Sequence, residues 1–124
     1  MRYNDCDTFT RAYIDCALWS STDESTPQGG EPFDANYTGT DLPAETIERM
    51  AADCARFQEV HADDLSLARS ADYNGHDFWL TRNGHGAGFW DRGLGEVGER
   101  LSLAARAFGE SNLYIGDDGR IYVS

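Results

Sequence analysis

Two histidines and two aspartates fall within one stretch of the chain, Gly75-His76-Asp77-Phe78-Trp79-Leu80-Thr81-Arg82-Asn83-Gly84-His85-Gly86-Ala87-Gly88-Phe89-Trp90-Asp91-Arg92. Imidazoles and carboxylates exchange protons near neutral pH and ligate divalent metals, so His76, Asp77, His85 and Asp91 are the candidates for metal-dependent or acid/base chemistry. Their spacing matches no motif with a known mechanism, and the chain has neither HExxH nor GxSxG. The glycine run Gly84-His85-Gly86-Ala87-Gly88 lacks the Lys-Ser/Thr of a phosphate-cradling loop. It reads instead as a turn that lets Phe89 and Trp90 fold back.

The second candidate chemistry is electrostatic. The chain holds 124 residues with 22 acidic against 10 basic side chains, all of the latter arginine, for a formal charge of −12. A small domain needs a net charge of only about 2–8 for solubility. The excess repels nucleic acid and anionic membrane surfaces and demotes direct binding to either. It is also localised: residues 1–64 hold 14 acids and four arginines, a net −10, whereas the remaining 60 hold eight acids and six arginines, a net −2. Carboxylates spread along helices and a loop can present rows that imitate nucleic-acid phosphates to a basic groove. Asp15, Asp23, Glu24, Glu45, Glu48, Glu59, Asp63 and Asp64 are the residues expected to form that surface.

The elements that must position these groups are legible as patterns. Phe9, Ala12, Tyr13, Cys16 and Ala17 keep helical spacing from about Asp7 to Ser20, with Asp5 or Asp7 as cap. Ser21–Thr40 reads as a loop. Pro43 opens a second helix whose apolar stripe is Ile47, Met50, Ala51, Cys54 and Phe57. Leu65, Leu67, Ala68 and Ala71 suggest a further short helix or a continuation, stopped by Gly75. From His76 to Arg82 the alternation of Phe78 and Leu80 with Asp77, Trp79 and Thr81 suggests a strand. In such a strand His76 and His85 would be roughly 20 Å apart at about 3.3 Å per residue, too far to share a ligand. Leu94 to Phe108 has helical periodicity ending at Gly109, and Leu113–Ile115 and Ile121–Val123 flank a Gly-Asp-Asp-Gly hairpin turn.

These elements predict a single domain, residues 1–124, of α+β class: a small three-stranded antiparallel sheet packed against three or four helices. An acidic helical half, about 1–71, precedes a sheet-forming half, about 72–124. In that sheet Trp79, Tyr114 and Tyr122 share the face opposite Phe78, Leu80, Leu113, Ile115, Ile121 and Val123, and could form an aromatic docking patch. Cys6, Cys16 and Cys54 are odd in number and lack CxxC spacing, which points to buried free thiols. The absence of an apolar leader or a membrane-length run gives the expectation of a soluble, cytoplasmic protein.

The Gly-His-Asp-Phe-Trp-Leu-Thr-Arg-Asn-Gly-His-Gly-Ala-Gly-Phe-Trp-Asp-Arg string resembles a segment of small uncharacterised bacteriophage and prophage proteins. The likeness covers about the last 50 residues. In size and acidity the chain is also similar to antirestriction and anti-CRISPR proteins that act as nucleic-acid mimics. Together these resemblances imply a non-enzymatic, cofactor-free inhibitor acting in a bacterial host cell, as monomer or dimer. Its partner would be a host nuclease or CRISPR effector complex with a basic nucleic-acid groove. The alternatives are an enzyme built on His76, Asp77, His85 and Asp91, and an adaptor that uses the aromatic face.

Overall fold

The computed structural model describes residues 1–124. Five α-helices carry the fold: α1 (Thr8–Ser20), α2 (Ala44–Val60), α3 (Ala62–Leu67), α4 (Ala71–Arg82) and α5 (Glu96–Ala107). Two small antiparallel ladders accompany them, β1 (Thr22–Asp23) with β2 (Glu31–Pro32), and β3 (Leu113–Ile115) with β4 (Ile121–Val123). The class is α+β, but the expected three-stranded sheet is absent. Its first strand, His76–Arg82, is the C-terminal part of α4.

The physical reason is burial. Helix α4 is packed from several sides, with Asn74, Gly75, Asp77, Phe78, Trp79, Leu80, Thr81 and Arg82 all buried. A helix covered on most of its circumference has no polar stripe, and over seven residues its pattern imitates a strand. Gly75 is not a stop signal either. It lies where α4 meets α1, and a Cβ there would sit 2.0 Å from the carbonyl oxygen of Phe9. The chain instead turns at residues 68–70, between α3 and α4, and Asn74 in the first turn of α4 braces that turn, its side chain accepting from the Arg69 amide and donating to the Arg69 and Leu65 carbonyls.

Helix α1 starts as its sequence requires, the Asp7 carboxylate accepting 2.8 Å from the Thr10 amide. The α1–α4 pair centres the core. Phe78 of α4 stacks on Phe57 of α2 at 4.1 Å between ring centroids, Tyr13 of α1 lies 5.1 Å from Phe78, and Phe89 stacks against Phe57 at 5.9 Å. The glycine run folds Phe89 back as expected, though onto helices and not a sheet. Close approach at Gly88 makes this turn, since a Cβ there would meet the Thr81 hydroxyl, which takes the Phe89 amide. Trp90 stays on the surface.

The C-terminal hairpin matches its sequence signal. Leu113, Ile121 and Val123 face the core, while Tyr114 pairs with Tyr122 on the outer side, their rings 6.0 Å apart. Two side chains of α2 fasten it: the buried Thr46 hydroxyl donates 2.8 Å to the Ile121 carbonyl, and Arg49 donates 2.7 Å to that of Val123. No helix is long and apolar enough to cross a membrane.

Candidate functional site

The acidic surface is built as much by where the arginines go as by where the acids lie. Among all acidic side chains only Asp77 is buried. Arg69 and Arg92 turn to Asp77, Arg82 is buried against Asp53, and Arg100 forms a two-pronged pair with Asp64 at 2.8 and 2.9 Å. Arg49 is committed to a backbone carbonyl, and Arg56 lies 5.1 Å above the Phe108 ring. These six arginines are thus engaged by carboxylates, carbonyls or a ring, although only Arg82 is itself buried and Arg49, Arg56 and Arg100 stay exposed. Apart from Asp91, 3.6 Å from Arg92, the remaining carboxylates face solvent without an arginine ion pair.

The eight expected surface acids divide accordingly. Glu45, Glu59 and Asp63 are exposed and make no side-chain hydrogen bond or ion pair. Glu48 lies 3.3 Å from the Met1 ammonium, and Asp15 accepts 2.9 Å from the Tyr3 hydroxyl. Burial, and then Asp15, push the Tyr3 phenol up to about 12. Asp23 and Glu24 organise the β1–β2 turn. Asp23 accepts from the Ser25 amide and hydroxyl, which hold its carboxyl below the usual range, and Glu24 accepts from Thr22 and the Gly30 amide. Asp64 is paired with Arg100, which likewise lowers its carboxyl.

On α2 the exposed acids do not form a continuous row. Glu45 and Glu48 are about 4.5 Å apart along the axis, and Glu59 lies some 16 Å further on. The exposed side chains between include Ala52, Ala55 and Arg56. The B-DNA charge spacing of about 3.4 Å per strand is therefore not copied phosphate by phosphate along this helix.

The His/Asp candidates are split by the fold. His76 and Asp77 lie on one side of α4, with the His76 Nδ1 3.8 Å from the Asp77 carboxylate. Arg92 grips the same carboxylate through Nη2 at 2.8 Å and Nε at 3.2 Å, and Arg69 approaches to 3.8 Å. Burial would raise the Asp77 carboxyl, but His76, Arg92 and Arg69 together hold it below the ordinary range. A carboxylate so engaged is an ion-pair anchor, neither a free base nor a metal ligand. Asp91 caps its own turn by accepting from the Gly88 amide at 3.0 Å.

His85 faces elsewhere, into a polar cleft of about 370 Å³ with Glu24, Glu110, Asn83 and Ser111 among its walls. The cleft that His76 lines holds neither His85 nor Asp91. No three His, Cys, Asp or Glu side chains are placed to hold a metal ion together. Asp77 and Arg92 read from sequence as residues of structural ion pairs, and they do pair; what sequence alone missed is the approach of Arg69, eight residues before Asp77, to the same carboxylate. The only available signal was an aspartate amid a strongly apolar run.

The expected aromatic patch also divides. Trp79 is 1% exposed and donates its indole N–H to the Ser20 hydroxyl at 2.9 Å, so it belongs to the core. Tyr114 and Tyr122 remain outside on the hairpin. The large aromatics that the fold does expose elsewhere are Trp19, Tyr73 and Trp90. Comparison with protein-family models, curated proteins and solved structures finds no match for this chain.

Proposed function

We propose that the protein is a non-enzymatic binder that presents its acidic N-terminal half to a basic groove built to hold DNA or RNA, and so blocks it. The observation that supports this reading is that Glu45, Glu59 and Asp63 on α2 and α3 are exposed and in no ion pair, while Arg82, Arg92 and Arg100 are taken up by Asp53, Asp77 and Asp64. Such a surface steers association with a basic partner at long range. The gap between Glu48 and Glu59 favours complementarity of field over point-by-point imitation of a phosphate ladder. A nuclease or CRISPR effector complex of a bacterial host is the partner of this kind that the phage-like segment suggests.

The test is binding to purified restriction and CRISPR effector complexes across a salt series. Affinity should fall steeply as salt rises, nucleic acid should compete, and Glu45→Gln with Glu48→Gln and Glu59→Gln should weaken binding, chiefly through the association rate. Binding that ignores salt and survives the triple substitution would sink the proposal.

A further inference from the structure

A second site lies apart from the α2 surface, in a cleft of about 340 Å³ whose walls include Arg69, His76 and Arg92, the three groups that contact the buried Asp77 carboxylate. Its walls come from α1 (Ala12, Asp15), the α3–α4 turn (Arg69), α4 (Asp72, Tyr73, His76) and the segment before α5 (Arg92). The volume falls in the range of small-molecule pockets, about 300–1,000 Å³.

The charges on this lining sort into pairs. Arg92 and Asp77 neutralise each other in a close, two-pronged contact. Arg69 does not complete a second such contact. Its guanidinium stays 3.8 Å from Asp77, makes no side-chain hydrogen bond, and is held over the Tyr73 ring at 3.8 Å. Its planar fork of donors is therefore preorganised with its hydrogen-bonding capacity open, although its charge also faces Asp77. Asp15 and Asp72 supply negative charge to the same cleft. Asp15 accepts from the Tyr3 hydroxyl and Asp72 from that of Ser70, both neutral donors that leave the carboxylate charge in place. With Arg92 taken up by Asp77 and Asp91, the lining offers one guanidinium, Arg69, whose charge is shared between Asp77 and Asp72 but whose donors are open, and two carboxylates, Asp15 and Asp72, that no arginine hydrogen-bonds.

A purely anionic ligand would meet Asp15 and Asp72, and a purely cationic one would meet Arg69. A ligand carrying both signs answers both. Arg69 suits a carboxylate through paired N–H donors, and the two aspartates suit an ammonium. Tyr73, half exposed, and His76, whose ring lies 5.8 Å from that of Trp19, add flat walls for an apolar or aromatic side chain. We propose that this cleft binds a small zwitterion of the α-amino-acid class, with its carboxylate on Arg69 and its ammonium between Asp15 and Asp72.

The experiment is an NMR titration of the intact chain that follows the arginine Nε–H and the Tyr73 and His76 ring signals. Three probes separate the charges: phenylalanine, phenylalanine amide without the carboxylate, and N-acetylphenylalanine without the ammonium. Phenylalanine should give saturable shifts confined to the cleft, and each derivative should bind at least about tenfold more weakly, or ~1.4 kcal/mol. Arg69→Gln, which leaves the Arg92–Asp77 pair in place, should cost phenylalanine a similar factor, and Asp72→Asn should weaken phenylalanine more than its N-acetyl derivative. No saturable shift with phenylalanine, equal affinity of all three probes, or an N-acetyl derivative binding as well as the parent would each overturn the proposal.

Discussion

Arg82, in the last turn of α4, donates a 2.9 Å hydrogen bond to the phenolic oxygen of Tyr13 in the middle of α1. The same guanidinium reaches Asp53 of α2 at 2.8 Å and the carbonyls of Gly109 and Phe108 at 2.9 and 3.2 Å. One buried cation thus ties three helices to the end of α5. Replacing Arg82 with Met should cost about 3 kcal/mol, because it leaves a phenol and two carbonyls without their donor while adding little apolar burial. Tyr13→Phe removes one of these bonds and should cost about 1 kcal/mol. Urea unfolding is the measurement, with the midpoint falling and the slope unchanged. Equal, small losses for both variants would contradict the bridging role.

Gly75 offers a test in which the usual sign reverses. In an exposed helix interior Gly→Ala stabilises by roughly 1 kcal/mol. Here the new methyl would be 2.0 Å from the Phe9 carbonyl oxygen, a backbone atom that cannot swing aside. The α1–α4 contact must separate, so Gly75→Ala should destabilise by about 1–3 kcal/mol. Thermal unfolding decides it, and a raised midpoint would show that the two helices are not held this close.

The same position shows why the sequence was only partly readable. Amphipathic α2 and α5 and the Asp-Asp-Gly hairpin carry their structure in local pattern, because each has one wet side. Helix α4 has few wet positions, so Gly75 read as a terminator and Phe78, Trp79 and Leu80 as a strand. The acidic bias of the first half was visible in composition, but which of its carboxylates stay unpaired depends on long-range choices by Arg82 and Arg100 that no local spacing encodes. His76 and His85 looked like one cluster because they are near in sequence. Helix α4 and its turn direct them into different clefts.

Acid should unfold the protein through Asp77. Its folded carboxyl is held below the ordinary value of 3.8 by His76, Arg92 and Arg69, against the opposing effect of burial. A lowered folded-state value means the contribution is fully present above the unfolded carboxyl's titration and is lost as pH falls through the folded one. Asp7, held low by bonds from Thr10 and Gln58, adds in the same direction. Stability should therefore hold down to about pH 5 and fall steeply below about pH 4. Asp77→Asn should flatten that acid limb while lowering stability at neutral pH, since Arg92 loses its closest charged partner. Urea midpoints measured from pH 7 to 2.5 would show it, and an unchanged acid limb in the variant would remove Asp77 from the account.

The three cysteines should report the integrity of the core. Cys6, Cys16 and Cys54 are 7, 1 and 0% exposed, and none is in a disulfide. Burial pushes the Cys16 thiol up to about 12, with the Asp77 and Asp15 charges adding to it and Ser20 opposing, and burial raises Cys54 as well. A thiol reacts as its thiolate, so both groups should be inert at neutral pH until the fold opens. Cys6, also raised by burial and the neighbouring Asp7 and Asp5, has the greatest exposure and should label first. Labelling with a maleimide, followed by mass spectrometry of the peptides, should find Cys6 modified ahead of the other two in native buffer. In denaturing urea all three should react together. Rapid native labelling of Cys54 would mean that α2 separates from α1 far more often than this packing permits.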